Sequence, residues 1–240
     1  MSALAGALSF LTVIGRSRTP DHRSLVWFGP VGLAVGGLCG LVRWGAGAWW
    51  APAVAAALVV AADLILTGAL HVDGLADTAD GVLPHLDRER RLAVMAEPGV
   101  GVFAIGVVGT TLLLRWSALA TADVDGWRWV VLLAGLWCGA RSFMAATVAT
   151  VPYARPAGGL ASAFSGGHAG AAAPGAALAV IGVAGAAGTA GVAGLAIGTT
   201  AAAALIALAY RRLGGFTGDV VGAAGVVLET VALVVVAARW

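Results

Sequence analysis

The sequence predicts an all-α protein, a polytopic bundle of helices embedded in a membrane. Three observations predict it. The 240 residues are 60% hydrophobic and 11% charged, with a mean hydropathy of +0.94, which is more apolar surface than a soluble core of this size can hide. The apolar residues fall in runs of about 20, the length of helix that crosses a hydrocarbon layer of roughly 30 Å. Arginines and tryptophans gather at the ends of those runs, where charged groups and amphipathic rings meet water.

The elements follow in order. Met1 to Ile14 is too short to span and has neither preceding basic residues nor a small-residue cleavage site, so it is expected to lie at the interface or to re-enter. About seven transmembrane segments are expected, near residues 25–42, 52–70, 99–119, 129–150, 170–187, 190–210 and 219–238, all in one domain covering 1–240. The Ala/Gly-rich stretch 169–204 can be divided in more than one way. Its small residues read as tight packing in lipid, where helix backbones approach through Gly and Ala.

Orientation follows from the basic residues, all of them arginine. With the amino terminus inside, Arg16, Arg18, Arg23, Arg88, Arg90, Arg91, Arg155, Arg211 and Arg212 fall on cytoplasmic loops, and Arg43, Arg115, Arg128 and Arg239 fall at or near the outer face. Trp44, Trp49, Trp50, Trp116, Trp127, Trp129 and Trp240 are expected at the outer interface. A net charge of +2 without lysine does not suggest a nucleic-acid partner. Cys39 and Cys138 sit in separate apolar runs without metal-ligand spacing, so packing is their expected role.

The loop after the second span carries LTGALHVDGLADTADG, residues 66–81, with Asp73, Asp77 and Asp80 at i, i+4 and i+7. On a helix these share one face within roughly 60°. Three carboxylates so close repel one another unless a cation lies among them, and an all-oxygen set suits magnesium, or manganese, rather than zinc. Such an ion keeps positions for water and substrate phosphate, so phosphoryl-type chemistry accompanies it. The alternative is a solvated acidic helix end. His71 points away from the carboxylate face of a continuous helix, and it is either a base, a phosphate contact or only hydrogen-bonded. The mixed-charge run from His85 to Arg91 reads as a solvated helix face.

A second element, RRLGGFTGDVVGA at 211–223, joins Arg211 and Arg212 to Gly214, Gly215 and Asp219. Glycines bring backbone N–H groups close to a ligand and a helix N-terminus favours phosphate, so phosphate binding is one reading. The other is that Asp219 caps the helix and the arginines fix topology. Asp63 and Arg141, at matching depths inside their spans, are expected to pair.

These blocks resemble the cobalamin synthases, the adenosylcobinamide-GDP ribazoletransferases, over most of the chain. The resemblance rests on FLT at 10–12, GPVG at 29–32, GALHVDGLADTADG at 68–81 and LAVMAEPGVG at 92–101. It continues through the Arg141 region, PYARPAGGLASAF at 152–164 and LGGFTGDVVGA near the end. Val13 stands where many relatives have arginine, and Glu97 where aspartate is usual.

The resemblance implies a magnesium-dependent transfer of the phosphate-linked cobinamide group from adenosylcobinamide-GDP to α-ribazole or its 5'-phosphate, with release of GMP. The metal ligands would come from Asp73, Asp77, Asp80 and Glu97. Asp219 and Asp80 are the candidates for taking the hydroxyl proton, with His71 beside them. Arg141, Arg155, Arg211, Arg212, Gly214 and Gly215 are the candidates for binding substrate. The implied location is the cell membrane, multi-pass, with the site facing the cytoplasm; a homo-oligomer is left open. Two other readings stay in view: a CDP-alcohol-type phosphotransferase, and a cation-coupled transporter motivated by Asp63 and Arg141.

Overall fold

The computed structural model describes residues 3–15, 20–155, 164 and 167–238. Arg16, Arg18, Arg239, Trp240 and the 156–163 part of the PYARPAGGLASAF block lie outside the described residues. The helices are α1 Ala3–Leu11, α2 Phe28–Gly47, α3 Pro52–Thr67, α4 Leu70–Val82, α5 Arg88–Val94, α6 Val102–Thr121, α7 Arg128–Thr150, α8 Ala173–Leu213 and α9 Gly218–Val236. Among the described residues the extended pairing is one isolated parallel bridge, Tyr153 to Phe216.

Five segments are long and apolar enough to cross a bilayer: His22–Gly47, Val102–Thr121, Arg128–Thr150, Ala169–Leu213 and Gly218–Val236. Pro52–Thr67 with Leu70–Val82, bent by 90°, makes at most a sixth. The expected segments 170–187 and 190–210 are the two arms of one element, α8, which reverses at Gly188 (φ 55°, ψ −133°). Ala179 and Leu195 both lie against Gly139 of α7, whereas a straight helix would hold them about 24 Å apart. Each arm then runs the depth of the bundle, and α8 begins and ends at the same face.

Packing follows the small residues. Gly32, Gly36 and Gly40 of α2 lie directly on the backbone of α7 at Trp137, Leu133 and Val130, and Gly194 and Gly198 of α8 lie on α9 at Ala232 and Leu228. Without hydrophobic drive between helices in lipid, such close backbone approach supplies the association. α7 and α9 form the buried centre, while Ile105 and Leu113 of α6 and Ile181 of α8 stay exposed on the outer surface, as lipid-facing side chains do.

The two ends differ. Trp44, Trp49, Trp50, Trp116 and Trp127 are exposed at the end holding the α2–α3 and α6–α7 connections. Trp129, expected beside them, is instead buried, with the Arg43 guanidinium 4.7 Å from its ring centroid. The opposite end holds α4 and α5, the end of α7 and the start of α9. There α3 stops at Gly68 and Ala69, both with positive φ (61° and 56°). An alanine in that conformation costs about 1–2 kcal/mol. These two residues turn α4 across the end of the bundle, outside the spanning set.

A candidate active site at the mouth of the bundle

Gly74 of α4 sits where a Cβ would lie 2.8 Å from the Asp219 carbonyl oxygen. The absence of a side chain therefore lets α4 lie on the first turn of α9. Thr217 caps α9, its Oγ1 accepting from the Val220 N–H, and its hydroxyl also donates to Asp219 at 3.2 Å. The Arg155 guanidinium lies 3.6 Å from the same carboxylate. Its Nε is buried with no acceptor among the described residues. Here the structure joins the acidic block and the Asp219 block, separated in sequence, at one face.

Beside them is a cavity of about 340 Å3 lined by His71, Arg155, Thr217 and Asp219, with Phe10, Tyr153, Phe164 and Phe216 among its apolar walls. Phe10 and Phe164 meet edge to face at 5.2 Å, and Tyr153 packs on Phe216 at 5.5 Å. The cavity is thus polar on one wall and aromatic on the others, the usual character of a small-molecule site.

Asp73 is exposed and Asp77 half-buried at this mouth. The Asp77 carboxyl is pushed up to about 6, first by burial and then by the negative charges of Asp219 and Asp73, with Arg155 opposing. Among the described residues, however, no three His, Cys, Asp or Glu side chains converge as a complete metal cage.

Several expected site residues make framework contacts. Asp80 is engaged by the start of α6. Its carboxylate accepts from the Gly101 N–H at 2.6 Å and the Ala104 N–H at 3.0 Å, capping α6. A Cβ at Gly101 would lie 2.6 Å from the Asp80 oxygen, so a side chain there would push the carboxylate aside. Glu97 turns to Arg90 on the surface at 2.8 Å.

Arg212 donates to the Val82 carbonyl, which Arg91 also reaches at 2.7 Å, so the two guanidiniums close the C-terminus of α4. Gly214 (φ 79°) terminates α8, and Gly215 lies against the Pro152 carbonyl where the Tyr153–Phe216 bridge forms. Arg88, expected on a solvated face, donates to the Leu213 and Ala154 carbonyls, each at 2.7 Å. Arg211 is exposed.

The largest correction is inside the bundle. Asp63 pairs with Arg115 at 2.8 Å, not with Arg141, and accepts from the Trp137 indole N–H at 2.9 Å. Arg115, expected at the outer face, is 3% exposed and also pairs with Glu229. Glu229 takes Arg141 at 2.7 Å, and the second terminal nitrogen of Arg141 lies 3.4 Å from His71 Nδ1. Arg141 is therefore a buried framework cation, absent from the cavity lining. Glu229 escaped the sequence reading, although an acid near the middle of the last apolar run was the signal that an arginine must meet it.

The comparisons with known proteins agree with one another. The family profile described as Cobalamin-5-phosphate synthase matches residues 3–237. A protein named adenosylcobinamide-GDP ribazoletransferase from Chlorobium phaeovibrioides is 34% identical, covering 95% of this chain and 94% of its own length. Proteins of the same name from Chlorobaculum parvum and Chlorobaculum tepidum are each 36% identical, covering 100% of this chain and 96% of theirs. No solved structure matches.

Proposed function

The chain belongs to the cobalamin-5-phosphate synthase family and is a transferase of cobalamin nucleotide-loop assembly, and on that premise we propose that the cavity beside α4 and α9 is where its transfer takes place. The reading takes the donor as adenosylcobinamide-GDP and the acceptor as α-ribazole or its 5'-phosphate. A ribose hydroxyl attacks the phosphorus that carries cobinamide, the bond to GMP breaks, and the hydroxyl proton passes to a base. One observation carries this reading: Asp77, Asp219 and Arg155 meet beside a cavity with one polar wall and aromatic walls.

Each side chain has a task in it. Asp219, oriented by the Thr217 hydroxyl, is the base for the attacking hydroxyl. Arg155 turns its unsatisfied Nε and fork toward the diphosphate. The flat faces of Phe10, Phe164, Tyr153 and Phe216 suit the base of the ribazole.

Magnesium fits the donor set at the mouth. Asp73 and Asp77 would hold it, where the negative charges of Asp219 and Asp73 beside Asp77 are ones a cation would offset. Two carboxylates suffice for an ion that takes water and phosphate oxygens for its remaining positions. When bound it would neutralise charge on the diphosphate as GMP leaves.

The mouth is assigned to the cytoplasm, because Arg23, Arg88, Arg90, Arg91, Arg155, Arg211 and Arg212 belong to it and Arg43 and Arg128 to the other end. A cation-coupled transporter is disfavoured, since Asp63 and Glu229 are already satisfied by arginines. The test is purified protein in lipid with adenosylcobinamide-GDP, α-ribazole and magnesium, following GMP. Release requires both substrates under this proposal, and no release with any combination would overturn it.

A further inference from the structure

The buried charges inside the bundle end on a histidine, and that contact restricts what the histidine can do. His71 lines the cavity, and its Nδ1 lies 3.4 Å from a terminal nitrogen of Arg141. A guanidinium has no acceptor and does not lose its proton, so the contact is a hydrogen bond only when Nδ1 carries a lone pair. Arg141 is held in turn by Glu229 at 2.7 Å, and Glu229 also by Arg115, whose other partner is Asp63. Gly222 makes room for the ring, since a Cβ there would lie 3.2 Å from His71 Cδ2.

With Nδ1 committed to accepting, the neutral ring carries its proton on Nε2, the nitrogen on the side away from Arg141. We propose that Arg141 and Glu229 are positioning residues that fix His71 as the Nε2–H tautomer, and that His71 serves the transfer as a neutral hydrogen-bond donor from Nε2 to a substrate oxygen in the cavity. It is then not the base, a task left to Asp219. This rests on the cavity being the transfer site, as proposed above. An N–H preset toward an oxygen that gains negative charge stabilises the transition state without rearrangement.

Two experiments test it. The first needs no turnover: nitrogen NMR of protein labelled in its histidines and reconstituted in lipid, with His71 assigned by its loss in His71→Gln. The expected His71 signals are a lone-pair Nδ1 and a protonated Nε2. In Arg141→Lys, whose compact ammonium cannot bridge Glu229 and His71 as the fork does, a mixture of tautomers is expected. A wild-type ring protonated at Nδ1 overturns the proposal.

The second compares His71→Gln with His71→Ala in GMP release, both checked for folding by thermal melting. Glutamine offers an N–H but cannot accept a proton as a base does. His71→Gln is expected to keep kcat within about tenfold of wild type and His71→Ala to lose about a hundredfold or more. A folded His71→Gln as inactive as His71→Ala overturns the donor role. If the wild type releases no GMP, the assignment of the reaction fails, while the NMR result still decides the tautomer.

Discussion

Glu229→Gln is the sharpest perturbation of the interior, because this one carboxylate holds two guanidiniums. Arg141 reaches it at 2.7 Å and Arg115 on the other side, with Glu229 1% exposed. The four buried charges Asp63, Arg115, Glu229 and Arg141 are balanced, and the substitution leaves one positive charge in excess at unchanged side-chain volume. A pair at about 4 Å in an effective dielectric of roughly 20 is worth about 4 kcal/mol. Breaking a buried pair from one side typically costs about 3–5 kcal/mol.

A loss of about 4 kcal/mol is therefore expected in reversible unfolding in bicelles. Adding Arg141→Gln restores the balance, since Asp63 and Arg115 still satisfy each other. The double variant should be less damaged than the sum of the two singles by at least about 2 kcal/mol. Asp63→Asn with Arg141→Gln should show a smaller coupling, because those two do not touch directly. Strictly additive effects for Glu229 and Arg141, or a stronger coupling between Asp63 and Arg141, would refute the assignment of partners.

Other outcomes follow from the mouth. Asp77→Asn should abolish most turnover yet stabilise the metal-free protein above pH 6. A carboxyl raised from 3.8 to about 6 contributes stability that is present in acid and lost as pH rises through about 6. With the group half-buried and open to solvent screening, the gain is about 1 kcal/mol; melting curves at pH 5 and pH 8 that show no such difference would contradict it. Asp80→Asn should cost about 1 kcal/mol through the weakened α6 cap and leave more turnover than Asp77→Asn, whereas equal loss would return Asp80 to the metal site. Gly74→Ala places a methyl 2.8 Å from the Asp219 carbonyl oxygen, so it should cost about 1–3 kcal/mol and lower kcat in the GMP assay by displacing Asp77 from Asp219. Arg212→Gln should lower the melting temperature by loosening the end of α4 with KM little changed, and a large rise in KM alone would make it a phosphate ligand.

What the sequence determined by itself was everything that depends on composition and local period. Apolar runs long enough for a bilayer, the amino-terminal helix too short to span, and the tryptophans at one set of run ends are each properties of a short stretch of chain. The spacing of Asp73 and Asp77 also survives into the structure, because a helix preserves i, i+4 wherever it is docked.

The tertiary structure decided which charges meet. Asp63 and Arg141 had matching depths, but depth along a helix does not say which face a residue takes or which helix lies opposite. α6 brings Arg115 to Asp63, and α9 brings Glu229 to Arg141. Likewise the i+7 position of Asp80 could not reveal that the first turn of α6 would supply two N–H donors to it from more than 20 residues away. The glycines of three motif blocks gained their meaning the same way: Gly74, Gly101 and Gly215 look alike in sequence, and each meets a different neighbour that arrives only when the helices pack.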